Sequence, residues 1–344
     1  LGQGRSGKNI HTAHLKDDER FAIAAVVDPI AERCERSARE LNCDGYASHE
    51  PLLERKDIDL IVNAAPSKFH TPLSLEFLKA GFNVLCDKPL ANRAADADRL
   101  IAAAEESGKT LAIFQQSRYA PYFRQVRSVI DSGVLGEIVQ VNISFSGFSR
   151  RYDWQTLIDE MGGALLNTGP HPLDQALRFF DGHGEPEVSC QMRRAVALGD
   201  AEDHCEITLT ARTAPVVRVE ISSCAALQVP TYYVYGTQGA LAGTTNELKW
   251  KYYKPEEAPK LELQREPLSN ENGEPIYCQD NLKWYEEGWS SDEDLFGSMS
   301  SQYYGMLYAA LAEGKPLEVT PQQVRQQAAV IEECQRQNPQ IYKR

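Results

Sequence analysis

The side chains of this sequence that could do chemistry fall in a few short stretches. Gly2-Gln3-Gly4-Arg5-Ser6-Gly7 has the G-x-G-x-x-G spacing. Such glycines let a backbone turn approach a pyrophosphate, and the N-terminus of the helix that follows faces the anion. An acid at the tip of the next strand then bonds the ribose hydroxyls. Asp28 closes the apolar run that begins at Phe21 and is placed for that role. A carboxylate there repels a 2′-phosphate, which favours NAD over NADP. Gly2, Gly4, Arg5, Ser6, Gly7 and Asp28 are the cofactor-binding candidates; the alternative is an ordinary glycine-rich turn.

Cys86-Asp87-Lys88-Pro89 ends another apolar run. Ligands of open α/β sheets bind beyond the carboxyl ends of the strands. Lys88 could therefore face the cofactor, or be a surface lysine before a loop proline. The stretch Gly162 to Asp174 holds Asn167, Thr168, His171 and Asp174 around Pro170 and Pro172. Prolines are tolerated only in a first helical turn, so His171 should stand at a helix start. Asn167, His171 and Asp174 converge there beside a glycine pair. The alternative is a helix cap, with Asn167 or Thr168 capping and Asp174 favouring the helix dipole. Histidine is the natural base for a hydroxyl proton, since its unperturbed pKa is about 6.5. A metal site is not expected from one histidine and one carboxylate. Arg118 follows the last parallel run, where two lobes should meet; it is a candidate for substrate contact. The Arg150-Arg151-Tyr152-Asp153-Trp154 loop offers Tyr152 and Trp154 to a sugar face, or is a solvated loop anchored by Trp154. His14, His49, His183 and His204 form no constellation, and Asp292 to Asp294 reads as a charge patch at a helix start.

The elements that must position these residues follow from periodicity. Strands are expected at 21–28, 58–65, 83–86 and 110–114, alternating with helices at 30–41, 72–80 and 91–107. Apolar runs between helices predict a doubly wound parallel sheet covered on both faces, with its first strand upstream of Leu1. After a helix at 121–132 and a strand at 138–145, neighbouring strands dominate: 187–195, 203–211, 216–224, 231–236, 247–253 and 260–265. Gly239 and Gly243 read as turns, 266–291 as a polar surface excursion, and 293–313 and 321–336 as closing helices. The predicted architecture is an α/β Rossmann domain over 1–118 and an α+β domain with a large, mostly antiparallel sheet over 119–344. The chain has 344 residues, 42% hydrophobic and 25% charged, which suits two globular cores and excludes wholesale disorder. A net charge of −13 argues against nucleic acid or anionic membrane as partner. No apolar run approaches the roughly 20 residues of a membrane span. Eight cysteines without a C-x-x-C pair read as buried thiols of a reducing compartment, hence a cytoplasmic location. No signal peptide is visible, and residues upstream of Leu1 are expected.

Taken together, these motifs resemble one family. The glycine turn with His11 after it, Pro66-Ser-Lys-Phe-His70, Asp87-Lys88-Pro89, Gly162-Gly163 through His171 to Asp174, and Pro316-Leu-Glu-Val-Thr-Pro321 occur in the order of the glucose–fructose oxidoreductase/inositol dehydrogenase (Gfo/Idh/MocA) family. The resemblance implies NAD(P)-dependent hydride transfer to or from a hydroxyl-bearing carbon of a sugar, cyclitol or derivative. It implies Lys88 and His171 as catalytic residues, and nicotinamide near Ala65, Pro66, His70, Lys88 and Gln116. Substrate would lie against Lys88, Arg118, Tyr152, Trp154, Thr168, His171 and Asp174, and the chain would form a homodimer or homotetramer through its second-domain sheet. Two positions depart: Asp87 replaces a glutamate, and Asn167 an aspartate. Asn167 can orient His171 but supplies no charge, while Lys88 lowers the imidazole pKa. His171 is therefore expected neutral at rest. The same departure keeps two alternatives open: a redox-silent NAD-binding sensor, and a glycoside-cleaving enzyme that uses NAD in a hidden oxidation and re-reduction.

Overall fold

The computed structural model describes residues 1–342. Three of the expected apolar runs form a parallel sheet, β3 (Leu60–Asn63), β4 (Asn83–Cys86) and β5 (Leu111–Ile113), in that spatial order. Val84, Leu85 and Cys86 are buried, as a strand covered on both faces requires. A second, two-stranded parallel sheet pairs β1 (Ala25–Val27) with β2 (Asp44–Tyr46). Leu1 and Gly2 lie in the seam between the sheets: Gly2 N donates to Val27 O at 2.8 Å, and Ala64 N to Leu1 O at 3.0 Å. The run from Phe21 gives only a short strand, because Phe21 turns away to pack edge-on against Tyr304 and Tyr308. Helices Ala31–Leu41, His70–Lys79 and Ala94–Ser107 stand close to their expected places.

The second half folds as an eight-stranded sheet in the order β13-β12-β11-β10-β6-β9-β8-β7. These are β6 (Ile138–Ser146), β7 (Glu187–Arg193), β8 (His204–Thr210), β9 (Val216–Ser222), β10 (Tyr232–Gly236), β11 (Gly239–Gly243), β12 (Glu247–Tyr253) and β13 (Trp284–Ser290). Only β6 and β9 pair in parallel; the other neighbours are antiparallel. One face carries Val141, Ile143, Ile207, Leu209, Val219 and Val234 into a core shared with helices Pro121–Asp131, Pro170–Leu177 and Pro321–Arg336. The other face leaves Val139, Tyr233 and Tyr235 exposed.

Three expectations change here. Gly239 and Gly243 bound a strand, not turns: a Cβ on Gly239 would sit 2.3 Å from Lys251 O, so glycine permits the close approach of β12. Part of the polar 266–291 excursion is the edge strand β13, whose charged residues suit an unpaired edge. Residues 260–265 form no strand; Leu261 and Leu263 are exposed. The closing helices bind the two halves together. Leu295–Glu313 buries Tyr303, Tyr304 and Leu307 in the core of the first half, while Pro321–Arg336 sends Val324 and Ala328 to that core and Val330 and Ile331 to the second. Thr320 and Gln323 form a reciprocal capping box that starts this last helix.

Candidate active site

A cavity of about 1010 Å³ lies between the two halves. At one end is the glycine turn. Gly2 has φ 78°, in the left-handed region, and a Cβ there would meet Ala64 O at 2.7 Å. Gly7 is packed beneath the turn, where a Cβ would lie 1.7 Å from Gly2 O. Gly4 differs: its Cβ would find only Arg33 Nη1, at 3.9 Å, so its backbone borders open space. Gly2, Gly4, Arg5, Ser6 and Asp28 line the cavity; Gly7 supports it from behind. The Asp28 carboxylate is held by Gln3 N at 2.7 Å and Ile30 N at 2.9 Å, which fixes it at the strand tip.

The middle of the cavity is bordered by Ala65, Pro66, His70, Lys88 and Gln116. Gln116 Oε1 is buried and has no hydrogen-bond partner among the described residues, so it is free to accept from a bound amide. His70 is placed differently from its expected role. Its Nδ1 donates to Pro89 O at 2.7 Å and its Nε2 faces Ala65 O at 2.9 Å. Both ring nitrogens are engaged with backbone, so His70 shapes the cradle and offers no polar atom to a ligand. Burial opposes its charge, but Cys86, Asp87 and the Pro89 carbonyl outweigh burial and raise its pKa to about 9. Open space at Gly4, the pinned Asp28 and the unpartnered Gln116 oxygen fit a dinucleotide laid from Asp28 towards Lys88.

At the far end Lys88 Nζ donates to Asn167 O at 2.6 Å. Burial lowers the Lys88 pKa; Asp87 opposes this, and Arg5 and Arg151 add to it. His171 sits in the first turn of helix Pro170–Leu177, as the flanking prolines require. Its Nδ1 lies 3.1 Å from Ser117 Oγ. Burial, then the Lys88 charge, lowers its pKa to about 3, so it is neutral at ordinary pH. Asn167 Oδ1 accepts from Gln155 Nε2 at 3.1 Å, and Gln155 Oε1 accepts from Arg151. Trp154, Asn167, Thr168 and His171 border the cavity here.

Three expected substrate contacts lie elsewhere. Arg118 and Asp174 are bonded to each other, Nε to Oδ2 at 2.9 Å and Nη2 to Oδ1 at 2.5 Å. Asp174 is 1% exposed, and Arg118 also donates to Gln323 Oε1 at 2.5 Å, so the pair ties the turn after β5 to helices Pro170–Leu177 and Pro321–Arg336, outside the cavity lining. Tyr152 is 83% exposed and also outside it. Two residues not anticipated complete the site, Ser117 beside His171 and Gln155 behind Asn167, while Arg151 of the cationic loop bonds Gln155 and His11 of the glycine-turn motif lies beneath Asp87. His11 Nδ1 bonds Tyr304 Oη at 2.6 Å, and its Nε2 stands 3.8 Å from the Asp87 carboxylate. Among the described residues no cluster of His, Cys, Asp or Glu could hold a metal, and no helix is long and apolar enough to cross a membrane.

Residues 1–115 match the model of an oxidoreductase family with an NAD-binding Rossmann fold, GFO_IDH_MocA, and residues 123–242 match the GFO/IDH/MocA C-terminal domain. A dTDP-3,4-didehydro-2,6-dideoxy-alpha-D-glucose 3-reductase of Streptomyces violaceoruber is 34% identical over 43% of this chain and 44% of its own length. The chain thus spans less than half of that relative. An inositol 2-dehydrogenase of Rhizobium meliloti is 28% identical over 70% of this chain and 73% of its own. Among solved structures, the WlbA dehydrogenase from Bordetella pertussis in complex with NADH and UDP-GlcNAcA superposes with a TM-score of 0.77 at 20% identity, covering 98% of this chain and 94% of that one. At that identity the likeness speaks for the fold.

Proposed function

This chain belongs to the Gfo/Idh/MocA family of NAD-binding oxidoreductases, and we propose that it moves a hydride between nicotinamide and a hydroxyl-bearing carbon of a sugar, cyclitol or derivative, with NAD rather than NADP. One observation supports the reading: Lys88, from the first half, donates at the far end of the cavity to the residue that leads into the helix of His171. Asp28 at the opposite end favours an unphosphorylated ribose. The names of the relatives, a dTDP-sugar 3-reductase and an inositol 2-dehydrogenase, favour a sugar or cyclitol.

Bound dinucleotide would supply the hydride acceptor. The protein's own part is proton and charge. Neutral His171 takes the hydroxyl proton, and the Lys88 ammonium steadies the oxyanion that develops on the same oxygen. Gln116 would orient the carboxamide. Eight thiols without a disulfide suit a cytoplasmic enzyme. The bare sheet face with Val139, Tyr233 and Tyr235 suits self-association as a dimer or tetramer, to be read by analytical ultracentrifugation.

A screen of purified protein with NAD against polyols, inositols and sugar acids, followed by NADH absorbance, tests the reading. NADH formation with one class, lost in His171→Asn, is expected. A second reading, a redox-silent sensor, is favoured by the uncharged Asn167. NAD binding by calorimetry without turnover on any panel member would replace the first reading with the second.

A further inference from the structure

His171 can take a proton only at a ring nitrogen that carries a lone pair. Nδ1 is turned to Ser117, and Nε2 makes no hydrogen bond among the described residues, so Nε2 is left for the cavity. For Nε2 to act as the base, Nδ1 must carry the hydrogen and donate it to a fixed acceptor. Asn167 is not that acceptor. Arg151 has only donors, so Gln155 must turn its oxygen to Arg151 and its amide NH2 to Asn167 Oδ1. Asn167 Oδ1 accepts from Gln155 and its backbone oxygen from Lys88, and among the described residues no hydrogen bond joins Asn167 to the His171 ring, whose Nδ1 faces Ser117 instead.

We infer that Ser117, and not Asn167, is the positioning residue of His171: its hydroxyl oxygen accepts from Nδ1, which fixes the ring and leaves the lone pair on Nε2. The inference rests on the reading of His171 as the proton acceptor. Ser117 is well built for the role. It is buried, its carbonyl accepts from Gln175 Nε2 at 2.7 Å, and Gln175 Oε1 accepts from Tyr232 Oη at 2.8 Å. Gln175 and Tyr232 have no solvent exposure. A rigid chain from the centre of the eight-stranded sheet therefore holds the serine against the imidazole. Ser117 lies in the turn Gln116–Tyr119 that follows β5. The base is thus held between the turn after β5 and an anchor, Gln175, on the helix of His171 itself.

The test reads ring-nitrogen NMR shifts of 15N-histidine-labelled protein at neutral pH, with the His171 signals assigned by their loss in His171→Asn. Wild type should show the Nδ1–H tautomer. Ser117→Ala should give a mixture of tautomers, and Ser117→Thr, which keeps the hydroxyl, should restore the single form. Asn167→Ala should leave the tautomer as in wild type. Where a substrate is found, Ser117→Ala should lower kcat on the order of tenfold with KM within about twofold. An unchanged tautomer in Ser117→Ala, or a tautomer lost in Asn167→Ala, overturns the inference. The NMR readout needs no turnover, so it decides the role of Ser117 even if every candidate substrate fails and the proposed activity falls.

Discussion

Lys88 and Asn167 are joined by a hydrogen bond from Nζ to the backbone oxygen, 2.6 Å long, between two halves of the fold that each build their own core. The ammonium is thereby aimed at the cavity wall that also carries His171. Replacing Lys88 by Met keeps the length of the side chain and removes both the charge and the donor. Lys88→Met should lower kcat by about 10²- to 10⁴-fold. NAD affinity, which the proposed function assigns mainly to the glycine turn and Asp28, should change by less than about tenfold. Stopped-flow turnover beside calorimetric NAD binding checks both; a loss confined to KM would assign Lys88 to simple binding.

The acid limb of the rate should lie low. An imidazole can act as a base only when neutral, and burial with Lys88 brings the His171 pKa to about 3. The rate of alcohol oxidation should therefore stay flat from neutral pH down to about pH 5. Asn167→Asp places a negative charge near the imidazole, favours the cation and raises the pKa. The acid limb should move up by about one unit or more. A kcat/KM profile for the two proteins checks this; coincident limbs would remove the charge argument.

Much of this arrangement is written in local spacing. The glycine turn, Asp28 at a strand tip and His171 between two prolines are legible because each depends on neighbours within a turn or two. Ser117 and Gln155 are not, since their meaning comes from partners 54 and 12 residues away. Arg118 and Asp174 show the opposite error. Both have the types that bind sugars and flank the right motifs, yet they neutralise each other across the fold. Strand β11 was hidden because Gly239 and Gly243 speak for a turn locally, whereas close pairing to β12 decides their state.

The Arg118–Asp174 pair gives a direct check on that correction. Removing one partner of a buried pair strands the other charge, at about 3–5 kcal/mol. Arg118→Met should lower unfolding stability by about 3 kcal/mol, since Arg118 keeps a small exposed edge. The KM of protein that remains folded should be within about twofold of wild type. Urea unfolding and steady-state kinetics measure the two quantities. A large KM change at unaltered stability would return Arg118 to substrate binding.

His70 should make stability fall on the alkaline side. Its ring faces two carbonyls, which only accept, so the folded form holds a proton that the unfolded chain releases at its ordinary value of 6.5. Between that value and about 9 the native state binds more protons than the unfolded state, and stability drops as pH rises. His70→Gln carries no titrating group and should remove that slope while lowering stability at pH 6. Chemical unfolding at several pH values compares the slopes; equal slopes would show that His70 is neutral in the fold.

Gly4 and Gly7 belong to one motif but should fail in different ways. At Gly7 a Cβ would lie 1.7 Å from Gly2 O, a backbone atom that cannot swing aside. Alanine would gain about 1 kcal/mol of helix propensity, yet overpacking of this kind costs about 1–3 kcal/mol, so Gly7→Ala should lose both thermal stability and NAD binding. At Gly4 a Cβ enters open space, 3.9 Å from the end of the Arg33 side chain. Gly4→Ala should melt like wild type and still bind NAD about tenfold or more weakly, because the methyl group fills the volume that a pyrophosphate needs. Calorimetric titration with NAD, run beside thermal melts of both variants, separates the two roles; NAD bound by Gly4→Ala with wild-type affinity would move the dinucleotide away from this turn.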